Sequence, residues 1–253
     1  MSLVSTPAVV LHAFRYGESS KIVRLATREL GVQSAIAKGA LRPRSKFGAR
    51  LALLSEGIAQ IYAKPNRELH TLAEYDVVKQ RTGLAGDIKR YAGASALAEL
   101  VMRATPAEAN PPLYDQFVDG LSALETVQPA AVDTACLSVI WQMVSALGFS
   151  PVLAECARDG RALPAGTARF SVSDGGFLCA ACARGSQGAT LKLEDRATLA
   201  LLVEGDPNAP PPIAGRHAAA HRRLLARFVR QHLAEERDLK ALTFWEELPW
   251  RDT

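Results

Sequence analysis

The sequence predicts an α+β chain in two parts. Three observations carry this: five short strand-like segments lie within residues 1–80, Ala- and Leu-rich helical periodicity takes over after Arg81, and a Gly-rich insert holding three of the four cysteines interrupts the helices.

The strand-like segments are 9–14, 21–26, 32–37, 53–63 and 68–78, each with β-branched or aromatic residues in partial alternation with polar ones. Gly17, Gly31, Gly39 and Pro65-Asn66 punctuate them, and Glu29-Leu30-Gly31 reads as a tight hairpin between the second and third strands. Five short strands in so few residues fit a small closed barrel of the OB type, because closure removes exposed sheet edges. An SH3-like barrel meets the same count.

The helical part begins with 87–104, where Ile88, Tyr91, Leu97, Leu100 and Val101 fall near one face and Thr105-Pro106 stops the run. Pro111-Pro112 and Pro129 stand at helix starts ahead of 113–127 and 130–147, and Gly148 follows as a C-terminal cap. The insert, 149–189, reads as irregular. Two further helices are expected at 194–204 and 218–237, separated by the Pro-rich loop that starts at Asp206. The reading is therefore a barrel domain over 1–80 and an α-helical domain over 81–253 that carries the insert.

Hydrophobic content of 48% with 22% charged residues describes a globular protein, and no run of 18 apolar residues is present. The first residues lack a basic leader ahead of their apolar stretch, so a cytoplasmic location is expected. Charge is distributed unevenly. Residues 1–80 carry 12 Lys or Arg against 6 Asp or Glu, net +6, whereas 81–253 carry 18 against 20, net −2. Such asymmetry suits a polyanionic partner for one domain.

The densest basic run is Lys38, Arg42, Arg44, Lys46 and Arg50, with no acid in its thirteen residues. Its Gly and Pro content predicts a loop whose cations meet phosphates, with Phe47 available to stack a base. Lys21 and Arg24 are expected on one barrel face as further contacts. Phe14, Tyr16 and Tyr62 are candidate platforms for unpaired bases, though for Phe14 and Tyr62 core packing is preferred, since small barrels need bulky interiors.

Cys156-x-x-Asp159 followed by Cys179-x-x-Cys182 has the two-residue ligand spacing of a zinc ribbon, with oxygen in place of one sulfur. A metal-free knuckle held by packing is the other reading. Arg222, Arg223, Arg227 and Arg230 lie opposite an apolar stripe of Leu224, Leu225, Phe228, Val229 and Leu233, which makes an amphipathic helix with a basic face. His217 and His221, spaced i, i+4, read as surface residues. Glu74 and Asp76 alternate on a strand and read as solvated carboxylates. Phosphate-loop, nucleophile-elbow, His-Glu-x-x-His and dinucleotide motifs are all missing, so no catalytic residue is expected.

The order of landmarks resembles the bacterial recombination mediator family RecO. The matching residues are Tyr16-Gly17-Glu18-Ser19, Thr27 with Gly31, Ala37-Lys38-Gly39, Ser45-Lys46-Phe47, Gly148-x-x-Pro151-x-Leu153-x-x-Cys156, Gly175-Gly176-Phe177-Leu178-Cys179-x-x-Cys182, and the Arg223 to Leu233 helix. The resemblance implies an N-terminal OB domain, then a helical domain with an inserted zinc finger. It further implies binding of single- and double-stranded DNA, annealing of complementary strands, and loading of RecA recombinase onto DNA coated by single-strand-binding protein. RecR and the acidic tail of single-strand-binding protein are the implied protein partners, the tail docking on the helical domain, where Arg222, Arg223, Arg227 and Arg230 are the candidate contacts. Family members with an intact finger carry two Cys-x-x-Cys pairs; Asp159 stands in one of those positions here. The rival readings are a zinc-dependent nucleic-acid-processing enzyme, which would need a His-x-Glu element that is absent, and a scaffold whose basic barrel binds an acidic protein tail.

Overall fold

The computed structural model of the chain describes residues 2–63, 67–105, 107–233 and 238–248. They form two compact units, Met1–Asp87 with Ala98–Leu121, and Ile88–Leu97 with Ser122–Thr253.

In the first unit, β1 (Ser2–Tyr16), β2 (Ser20–Thr27), β3 (Gly31–Ala37), β4 (Glu56–Ala63) and β5 (Leu69–Lys79) close into a barrel in the order β1-β2-β3-β5-β4. All five expected strands are present. β1 is longer than its periodicity suggests, because it serves two neighbours in succession: Ser2–Val9 pairs with β4, and Ala8–Tyr16 with β2. A register shift between Val10 and His12 bends the strand where it changes partners. Pro7, whose missing N–H argues against a strand interior, still faces Ile58, and its carbonyl accepts the Arg28 N–H at 3.0 Å. The parallel pairing of β3 with β5 over Ser34–Ile36 closes the circle. The expected turn at Pro65-Asn66 lies outside the described residues.

Val10, Val23, Leu25, Ile61 and Leu72 fill the barrel. Tyr75 crosses it, its hydroxyl donating to the Ser55 carbonyl at 2.6 Å and the Ala8 carbonyl at 3.1 Å; burial pushes the phenol pKa up. The same unit holds α1 (Thr82–Ala85), the second half of α2 (Ile88–Ala104) and the first half of α3 (Pro111–Thr126). Asn110 caps α3 by accepting the Leu113 N–H at 3.2 Å. Arg28 holds Asp115 of α3 through two bonds of 2.8 and 2.9 Å.

In the second unit, α4 (Val132–Ala146) is buried on nearly every side. Trp141 of α4 meets Phe228 of α6 (Gly215–Leu233) with ring centroids 5.0 Å apart. Arg90 of α2 donates to the Leu124 and Val127 carbonyls, satisfying the C-terminal end of α3. α5 (Leu193–Glu204) falls where expected, whereas α6 begins at Gly215, and 234–237 lie outside the described residues. α7 (Lys240–Glu247), unanticipated, buries Leu242 and Trp245.

The insert is more regular than its composition suggests. β6 (Ala168–Ser171), β7 (Gly176–Leu178) and β8 (Ala189–Leu191) form a sheet in the order β7-β6-β8. Phe170 stands edge-on to Phe177 at 5.2 Å and lies 6.1 Å from Phe228, which ties the small sheet to α6. These strands are too short for alternation to register; cross-strand partners and the ring cluster hold them.

Candidate nucleic-acid interface and metal centre

The basic run leaves β3 at Gly39, whose left-handed φ of 71° turns the chain back toward the β1–β2 hairpin. The Leu41 N–H bonds to the Ser19 carbonyl at 2.8 Å, and Arg42 and Ser45 N–H groups bond back to Gly39 and Arg42. Phe47 anchors the far end, only 2% exposed among the barrel's core residues. Its expected role in stacking a base is thereby corrected: an apolar ring at the loop's end finds the barrel interior first.

Between these anchors Lys38, Arg42 and Arg44 are exposed, with no acidic partner among the described residues. Lys46 and Arg50 differ. Their ammonium and guanidinium groups lie 3.7 Å from Glu74 and 3.6 Å from Asp76 on β5. The acids missing from the loop are supplied by a distant strand, and the Glu74–Asp76 pair faces cations. Lys21 and Arg24, three residues apart on an unbroken strand, point to opposite faces: Lys21 is opposite Arg15, Arg24 opposite His12. Arg24 is half-buried, and its pKa is lowered by that burial and by Arg103. The expectation that both share one face is overturned by the period of two. Phe14 and Tyr62, expected inside, are 44% and 37% exposed; the bulky interior positions are taken instead by Phe47 and Tyr75, with alanines and aliphatic residues filling the rest.

In the insert, the ligand atoms of Cys156, Asp159, Cys179 and Cys182 all lie within 4.8 Å of one another. Gly175 takes a left-handed φ of 75°, and a Cβ on Gly176 would collide with the Val152 carbonyl, so the Gly-Gly turn lets β7 approach closely enough to deliver Cys179. The Cys182 thiol donates to the Asp159 carboxylate at 3.2 Å and the Cys179 thiol at 3.7 Å. Hydrogen bonds from Cys156 and Cys182 hold the Asp159 carboxyl down to about 2, and Asp159 in turn pushes Cys182 up to about 12. A tetrahedral zinc with bonds of about 2.3 Å to sulfur separates its ligands by about 3.8 Å, so three sulfurs and one oxygen at this spacing fit such an ion. The group can hold a metal.

Residues 1–81 match the family model "Recombination protein O N terminal", and residues 85–242 match "Recombination protein O C terminal". The chain belongs to the recombination protein O family. It is 34% identical over 261 aligned residues to the DNA repair protein RecO of Anaeromyxobacter sp. (strain K), covering 98% of both chains. It is 32% identical to the RecO protein of a Nocardioides species, covering 94% of this chain and 97% of that one. Membership places this RecO-family chain in DNA repair and recombination.

On α6, the helix that the family resemblance singles out, the four arginines separate. Arg222 is buried and Arg223 is exposed. Arg227 and Arg230 line a cleft of about 450 Å³ with Ser173, Gln187 and Leu224. Arg230 is also held by Glu246 of α7 at 2.5 Å. His221, expected on the surface, is buried, and burial lowers its pKa; His217 bonds to Asp195 of α5 at 2.8 Å. No helix is long and apolar enough to cross a membrane among the described residues.

Proposed function

We propose that this RecO-family chain is a non-catalytic cytoplasmic mediator that binds single- and double-stranded DNA, anneals complementary strands and helps load RecA onto DNA coated by single-strand-binding protein. The observation that carries the reading is the stapled loop, which displays Lys38, Arg42 and Arg44 without acidic partners at one end of the barrel. Cations fixed in this way neutralise phosphates and lower the repulsion between two strands, which is the physical requirement of annealing. The strand order of the barrel supports an OB reading of residues 1–80, with 81–253 as the helical domain and 149–189 as a zinc-finger-like insert.

Zinc held by Cys156, Asp159, Cys179 and Cys182 has a structural part in this reading: it fixes the insert and takes no step in a reaction. RecR and the tail of single-strand-binding protein are the proposed protein partners. The cleft beside Arg227 suits the tail, since a guanidinium and an apolar wall at Leu224 accommodate an acidic peptide with an aromatic end. The deciding experiment is annealing of complementary oligonucleotides by purified protein without nucleotide cofactor. Acceleration over the spontaneous rate is expected, and its absence rejects the mediator reading.

A further inference from the structure

The outer face of the β1–β2 hairpin carries His12, Phe14 and Tyr16 at alternate positions of one strand. Alternate residues share a face and stand about 7 Å apart, so the three rings form a row. The His12 and Phe14 rings are 5.8 Å apart and tilted by 34°. Phe14 is 44% exposed and Tyr16 is 50% exposed. The opposite parity of β1, Ala13, packs on the barrel core. A solvated sheet face ordinarily carries polar residues, and one exposed ring needs no explanation; a row of three with a common direction marks a contact surface.

Charge at this end identifies the chemistry of the contact. The only acid in the first 28 residues is Glu18, at the hairpin tip. Lys21 sits in register with Ala37, directly before Lys38, and the Leu41–Ser19 hydrogen bond brings the basic loop to the same tip. Rings on the outer face of the hairpin and unpaired cations of the basic loop at its tip match a polymer with flat apolar faces and a regularly charged backbone.

We infer that His12, Phe14 and Tyr16 form a stacking strip for the unpaired bases of single-stranded nucleic acid, and that this strip, rather than the basic loop, sets the preference for single strands over duplex. The inference rests on the DNA-binding reading above. Duplex bases are already stacked and offer the rings no free face, while the loop cations meet phosphates of either form.

The test uses the full chain, with oligothymidylate and a duplex of equal length as probes, followed by fluorescence anisotropy across a salt series. Phe14→Ala and Tyr16→Ala should each weaken oligothymidylate binding by about fivefold or more, the range of one lost base-stacking contact. The slope of log affinity against log salt should not change, because stacking releases no counterions. Duplex affinity should stay at the wild-type value. Tyr16→Phe and Phe14→Tyr, which keep the rings, should restore single-strand binding. As a second measurement, the fluorescence of Phe14→Trp should be quenched by oligothymidylate and not by duplex. Unchanged single-strand affinity in a folded double-alanine variant overturns the inference, as does an equal loss on both probes. A failure of the DNA-binding reading itself is distinguishable: there, the wild-type chain binds neither oligothymidylate nor duplex, whereas a failure of the strip alone leaves wild-type binding in place and the ring variants without effect on it.

Discussion

Arg81 and Glu56 form an ion pair at 2.5 Å in which the guanidinium side chain is 1% exposed and the carboxylate 22%. Arg81 also donates to the Val118 carbonyl of α3, and its backbone adopts a left-handed φ of 51°. Arg81, two residues after the last barrel strand, is thus fixed by its charge as well as by its backbone. Removing the carboxylate costs the buried guanidinium its Glu56 bond while the Val118 carbonyl stays in place, so the loss is that of a hydrogen bond to a charged group in an interior. Glu56→Ala is expected to destabilise the protein by about 1.5–3 kcal/mol, seen as a lower urea midpoint with an unchanged slope.

The metal centre gives a second expectation. Purified protein should contain close to one zinc, and chelator should lower its unfolding temperature. Asp159→Cys should raise both metal retention and unfolding temperature, because a fourth thiolate suits zinc better than a carboxylate. Metal binding expels thiol protons, and Cys182 holds its proton up to about 12 while Asp159 accepts from it. Acid therefore favours the metal-free form, so zinc retention should fall as pH falls. Atomic absorption after dialysis at stepped pH reads this directly; metal-free protein indifferent to chelator would falsify the metal reading.

The loop can be dissected by salt. Replacing Lys38, Arg42 and Arg44 together by Ala should reduce the slope of log affinity against log salt by about 2 on single strands and up to about 3 on duplex. Replacing Lys46 and Arg50 should change it less per residue, since those cations already face Glu74 and Asp76. Equal effects from the two sets would show that the β5 carboxylates do not hold the pair in solution.

Docking on the helical part is tested by calorimetry with an acidic peptide ending in Phe. Arg227→Glu should abolish measurable heat, while Arg222→Gln, a change at a buried position outside the cleft lining, should leave affinity intact in whatever fraction folds. Binding that survives Arg227→Glu and Arg223→Glu together places the peptide elsewhere.

Much of the fold was legible locally. A period of two over the barrel strands, a helical period after Arg81 and Pro111-Pro112 at the start of α3 are patterns within a few residues of chain, and each marks an element that exists; the Cys-x-x-Cys spacing marks a group that could hold a metal. Their limits are equally local. Pro7 concealed the first half of β1, because a strand that loses one donor still pairs through its carbonyl. The insert strands β6, β7 and β8 span three or four residues each, too few for a period to appear. α7 went unread although Leu242 and Trp245 are its buried face.

By itself, the sequence determined the α+β class, the basic character of the N-terminal strands and the identity of the four possible metal ligands, since these depend on residue type and short-range spacing. Tertiary structure alone decided which members of each set are available. Glu74 and Asp76 reach Lys46 and Arg50 only because β5 passes the loop, and Phe47 leaves the surface because the barrel interior lies beneath it. Phe14 remains outside because its neighbour Ala13 takes the inward position, and Tyr16, two residues further on, shares the outward parity of Phe14. The physical reason is common to all three: exposure and charge pairing are set by neighbours remote in sequence, and no local pattern records which remote segment will arrive.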